Sequence, residues 1–179
     1  MSDINSKLYQ RAQACALSQD YSEAMRIIER LLKLTDYSHE LLRFKANVID
    51  LKTSQELNGN IISEKESEKQ YELAYTLYLS ILKTKPDYVP AIIDIGDYWE
   101  RKGMLEHSLI FYDNAIELLE KGIFGESLKD EVEEAFYNKA MVLKELKRHD
   151  EAEFSLARGR KYNPDSILLK NNVQSVTKH

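Results

Sequence analysis

The residues able to do chemistry are scattered. His39, His107, His149 and His179 fall in four different parts of the 179-residue chain. None forms a His-x-x-x-His pair. Glu106-His107 does not extend into the helical motif in which two histidines hold zinc beside a glutamate base. There is no glycine-rich phosphate loop and no nucleophile elbow. Cys15 stands at an apolar helix position, where a thiol packs rather than reacts. A single cysteine also excludes an internal disulfide framework and a multi-cysteine zinc site. The 11 Tyr, 5 Phe and 1 Trp read as core filling rather than as a cofactor box. The expectation is a chain that is not an enzyme, with no catalytic residues, no metal and no cofactor.

The acidic residues are better organised. Asp94, Asp97 and Glu100 recur every three residues and share one face of a helix. What positions them is a helical architecture. Hydrophobic residues make up 43% of the chain and charged ones 31%, enough apolar content for a core and too much for a disordered chain. Gly and Pro together number 9, too few for the turns of an all-β sandwich or barrel. The net charge of −5 argues against a nucleic-acid partner. No apolar run reaches the roughly 18 residues of a membrane span, and Met-Ser-Asp-Ile-Asn-Ser-Lys lacks the apolar stretch of a signal peptide. The expected location is cytoplasmic, with no membrane partner.

Small residues recur with a period. The stretches Asp20–Ala24, Gln70–Ala74 and Arg148–Ala152 resemble one another, and Gly103–Ser108 is a fourth version. Upstream of each lies a small residue inside an apolar helical pattern: Ala12, Ala46, Gly96 and Ala140. The steps 12→24, 96→108 and 140→152 are each 12, while 46→74 is 28, or 12 plus 16. Between units, 24→46 and 74→96 are both 22, and 108→140 is 32, or 22 plus 10. Twelve plus 22 gives a period of 34.

A 34-residue period with small residues at these places resembles the tetratricopeptide repeat. In the third unit Trp99 follows Gly96 by three, and Tyr112 and Ala115 follow Ser108 by four and seven. Phe136, Ala140, Leu143, Ala152 and Pro164 are in register in the fourth. Asp36 and Glu120 stand where a proline is usual in the first and third units. The units run over residues 5–38, 39–88, 89–122 and 133–166, nearly the whole chain. The resemblance implies an all-α, right-handed α-solenoid: four helix pairs in a single domain, 1–179, closed by a capping helix near 165–177. Each pair buries its apolar face only against a neighbour, and the small residues let the helices cross closely.

The pattern predicts helices near 4–17, 21–34, 39–57, 64–84, 89–102, 105–121, 128–147, 150–162 and 165–177. Asp20 with Glu23, and Ser63 with Glu66, have the spacing of a capping box. The extra 16 residues of the second unit make an elongated hairpin turning at Asn58-Gly59-Asn60. Ile61 and Ile62 either pack against Leu57 to close it or offer a contact to a partner. The extra 10 residues before the fourth unit, with Gly122, Gly125, and Ser127 in cap spacing with Asp130, predict a short turn and an early helix start.

In the family's architecture the first helix of each pair lines a concave groove. The resemblance therefore implies a partner-binding face of Tyr9 and Gln13, then Arg43, Phe44 and Asn47, then Ile93, Asp94, Asp97, Glu100 and Arg101, then Tyr137, Asn138 and Met141. Apolar anchors beside acidic groups suit a protein segment carrying Lys or Arg; a plain solvated helix face is the other reading. The carboxylate clamp of heat-shock co-chaperones is incomplete here in either frame, and Asp94 would repel a carboxylate. The expected function is protein binding as an adaptor or complex subunit. An antidote or chaperone masking one partner, and structural self-association, stand as alternatives.

Overall fold

The structure, a computed structural model, describes residues 3–35, 38–122 and 129–171. The chain is all-helical there, and its contacts divide it into two compact units, Met1–Pro86 and Asp87–His179.

The first unit holds two helix pairs: α1 (Asp3–Leu17) with α2 (Tyr21–Leu34), and α3 (His39–Asn58) with α4 (Glu64–Thr84). Polar caps set the helix starts. Asp20 accepts the Glu23 backbone N–H at 3.1 Å, and Ser38 accepts that of Leu41 at 3.3 Å. Ser63 and Glu66 form the full reciprocal capping box at the start of α4. The Asp20–Glu23 pair forms only half of one, because the Glu23 carboxylate is taken by Arg26 at 2.7 Å and Arg11 at 3.0 Å. Ala12, Ala24, Ile27, Ile28, Leu31, Leu41 and Val48 form the core of the first pair and its junction with α3. Cys15 is only half-buried and packs on this core from its edge.

The long α3–α4 hairpin turns where the sequence predicts. Gly59 caps α3, and Asn60 takes the left-handed conformation at φ 55°. Ile61 does not close the hairpin; it is 72% exposed. Backbone bonds do that work, with Ile61 N–H donating to the Glu56 carbonyl at 2.8 Å and Asn60 N–H to Leu57 at 3.0 Å. Within the hairpin, Thr53 and Ser67 are buried, and Ser54 and the Tyr71 hydroxyl bond at 3.0 Å.

The second unit holds α5 (Val89–Arg101) with α6 (Leu105–Glu120), α7 (Lys129–Glu145) with α8 (His149–Tyr162), and the short α9 (Ile167–Asn171). Pro90 lies in the first turn of α5, where its missing N–H costs nothing. The early start of the fourth unit is present, at Lys129. Ser127 and Gly125 lie outside the described residues. So do Val173 and Val176 of the expected capping helix, of which Ile167–Asn171 is seen with Leu169 buried.

All eight small residues of the repeat are buried: Ala12, Ala24, Ala46, Ala74, Gly96, Ser108, Ala140 and Ala152. Close approach also occurs at Gly159 on α8, where a Cβ would fall 2.9 Å from Phe136 Cβ on α7. Beside it Ser155 donates to the Phe136 carbonyl at 3.0 Å.

Candidate functional site

In the first unit, α1 and α3 present an aromatic pair. The rings of Tyr9 and Phe44 meet edge to face, 5.5 Å between centroids and 63° between planes. Both are half-buried. Burial and the neighbouring Glu40 hold the Tyr9 phenol above its ordinary range, and Arg43 works in the opposite direction. Tyr9, Glu40, Arg43 and Phe44 are thus brought together. Glu40 is in turn held below the usual carboxylate range by its own backbone N–H and by the Ser38 hydroxyl at 2.9 Å. Gln13 is exposed on α1. Asn47 has a structural task, since its Oδ1 accepts from the Tyr78 hydroxyl at 2.7 Å.

In the second unit the sequence expectation needs correction. Ile93 is 0% exposed and Asp94 only 8%. Ile93 has no surface to offer a partner. The physical reason is that α5 packs against both α6 and α7, so its apolar run Val89–Ile93 is covered all round. Asp97 and Glu100 are half-buried rather than an open acidic stripe. The Tyr112 hydroxyl on α6 reaches Asp97 Oδ1 at 2.6 Å and Glu100 Oε2 at 2.8 Å. Asn138 Nδ2 on α7 donates to the same Asp97 oxygen at 2.9 Å. The structure therefore joins Asp97 to Glu100 through Tyr112, a residue outside the expected face, and to Asn138 directly. Arg101 is exposed, and Tyr137 and Met141 are half-buried.

An open cleft of about 460 Å³ adjoins Tyr137 and Asn138, lined also by Asp130, Glu133, Glu134 and Leu168. Three carboxylates of α7 form one wall, and Leu168 of α9 supplies the far side. Glu133 accepts from Asn163 Nδ2 at 2.8 Å, which fixes its carboxylate.

The tyrosine link was legible in register. Tyr78 and Tyr112 each stand four residues after the small residue of their helix, Ala74 and Ser108. Their acceptors stand one and four after the small residue of the first helix: Asn47 and Asp50, then Asp97 and Glu100. The Tyr78 hydroxyl reaches Asp50 Oδ2 at 3.1 Å. In the outer pairs the same places hold Ile28 with Gln13 and Ala16, and Leu156 with Met141 and Lys144. At these places carboxylates occur only where the phenol does.

Among the described residues no group of three or more His, Cys, Asp or Glu is placed to hold a metal ion. No described helix is long and apolar enough to cross a membrane.

Known proteins show the same arrangement. The sequence profile of the tetratricopeptide repeat matches residues 133–166, the bounds that the spacing assigns to the fourth unit. Residues 133–166 are thus a tetratricopeptide repeat. The chain's fold is similar to that of YrrB, described as a TPR protein with an unusual peptide-binding site, at 16% identity and a TM-score of 0.57 over 92% of this chain and 72% of that one. It is also similar to MamA from residue 41 to the end, from Desulfovibrio magneticus RS-1, at 19% identity and a TM-score of 0.58, covering 90% and 78%. TTC0263, a thermophilic TPR protein of Thermus thermophilus, matches at 14% identity and a TM-score of 0.56, covering 92% and 94%. A comparison with curated protein sequences gave no match. At these identities the likeness is one of fold.

Proposed function

We propose that this chain is a non-enzymatic, cytoplasmic binding module for another protein, acting as an adaptor or complex subunit, and that it takes a segment carrying Lys or Arg on its first-helix faces. The observation that carries the charge preference is the cleft beside Tyr137, whose lining holds Asp130, Glu133 and Glu134 and, among the described residues, no basic one. Half-buried Tyr137 and Met141 supply apolar contact next to it, as the Tyr9–Phe44 pair does in the first unit. Recognition of a peptide by YrrB, a protein of the same fold, supports this reading. Charges at such a face steer encounter and set orientation, while aromatic anchors hold the complex.

The test is capture of partners from the native cell, followed by kinetics with the purified partner at two salt concentrations. Glu134→Lys is expected to slow association and flatten its salt dependence. Tyr137→Ala is expected chiefly to speed dissociation. If both variants bind as the wild type does, the α7 face is an ordinary solvated surface and the proposal fails.

A further inference from the structure

One hydroxyl stands between two carboxylates in the second unit. Tyr112 Oη lies 2.6 Å from Asp97 Oδ1 and 2.8 Å from Glu100 Oε2. Both are full hydrogen-bond distances, yet a phenol has one proton to donate. Tyr112 keeps that proton, because burial first, and then Asp97 and Glu100, push its ionisation far above the ordinary phenol range. A second proton on one carboxylate satisfies all three groups. Asp97 is the better anion, since it also accepts from Asn138 Nδ2 at 2.9 Å. Glu100 is the better acid. Around it stand Asp97 and Arg101 on its own helix, Tyr112 on α6 and Glu145 on α7, so it faces two carboxylates and one cation.

We propose that Glu100 binds a proton in the folded protein under mildly acidic conditions and donates it to Tyr112 Oη while Tyr112 donates to Asp97. The relay Glu100→Tyr112→Asp97 then ties α5 to α6, and Asn138 extends it to α7. Burial is the largest influence raising the Glu100 pKa, with Asp97 and Glu145 adding to it and the Tyr112 hydrogen bond and Arg101 opposing it. A carboxyl whose folded pKa is raised adds stability that is present below its unfolded pKa and is lost as pH rises through the folded one. The face beside Asp97 thereby gains one negative charge as pH rises through the transition. This device belongs to the free protein and stands whether or not the partner proposal holds.

The test is a carboxyl-carbon NMR titration of the full chain, with the Glu100 signal assigned by its loss in Glu100→Gln. A midpoint above the ordinary glutamate value of about 4.3 is expected. Asp97→Asn should lower that midpoint, because it removes the nearest repelling charge. Glu145→Gln should lower it by less, and serves if Asp97→Asn does not fold. A Glu100 midpoint at the ordinary value, or one that neither substitution moves, overturns the relay.

Discussion

The ring of Tyr112 occupies the space that a side chain on Gly96 would need. An ideal Cβ at residue 96 would fall 2.5 Å from Tyr112 Cε1 and 2.8 Å from Cδ1. The ring cannot easily yield, because Tyr112 is fully buried and its hydroxyl is held by Asp97, the residue next to Gly96. The crossing of α5 and α6 is thus fixed at two adjacent residues, by absence of a side chain at one and a hydrogen bond at the other.

Gly96→Leu should overpack this crossing. A loss of about 1–3 kcal/mol is expected, with Gly96→Ala already meeting the ring. Denaturant unfolding of both variants measures it. A midpoint unchanged in Gly96→Leu would show that Tyr112 is not held where the geometry places it.

Tyr78→Phe and Tyr112→Phe each remove a buried hydroxyl while keeping the ring. Each should cost about 1–3 kcal/mol, because Asn47 and Asp50, or Asp97 and Glu100, lose their hydroxyl partner in a partly dry setting. The same substitution at the exposed Tyr162 is expected to cost less, and comparison of the three unfolding midpoints decides it.

The long hairpin should be separable. Deleting residues 52–57 and 61–70 restores the 34-residue period and keeps Asn58-Gly59-Asn60 as the turn. The deleted part is bonded mainly within the hairpin, as in Ser54–Tyr71, and reaches the α1–α2 turn through Gln55 Nε2 to Gln19 Oε1 at 3.0 Å. The shortened chain should keep helical circular dichroism and cooperative unfolding. Loss of cooperativity would make the hairpin part of the core.

The start of α4 should be acid-sensitive. Hydrogen bonds from the Ser63 hydroxyl and backbone N–H hold the Glu66 carboxyl below its usual range. The cap therefore contributes above the unfolded glutamate pKa, and its contribution is lost as pH falls through the folded one. Ser63→Ala should raise the Glu66 midpoint toward the ordinary value, with the backbone N–H left as a donor, and speed amide exchange in the first turn of α4. NMR reads both, and an unmoved Glu66 midpoint would remove the capping box as its cause.

Tyr9→Ala and Phe44→Ala should weaken partner binding more than they weaken the fold, since both rings are half-buried and sit at the edge of the first-unit core. Equal loss of stability and affinity would mean that the edge-to-face pair serves packing alone.

Helix placement was legible in the residues because it depends on short-range spacing. Small residues 12 apart, cap residues such as Ser63, and the Asn58-Gly59-Asn60 turn each act within a few turns of chain, and the helices start and stop beside them. Exposure was not legible in the same way. A helical repeat tells which residues share a face of α5, but whether Ile93 and Asp94 on that face meet water depends on how many helices pack around it. Nor did charge spacing show that Asp97 and Glu100 answer to Tyr112, 15 and 12 residues further on. Spacing along one helix sets direction; only packing brings a phenol from the next helix within hydrogen-bond reach and turns two apparent surface acids into partners that hold the crossing together.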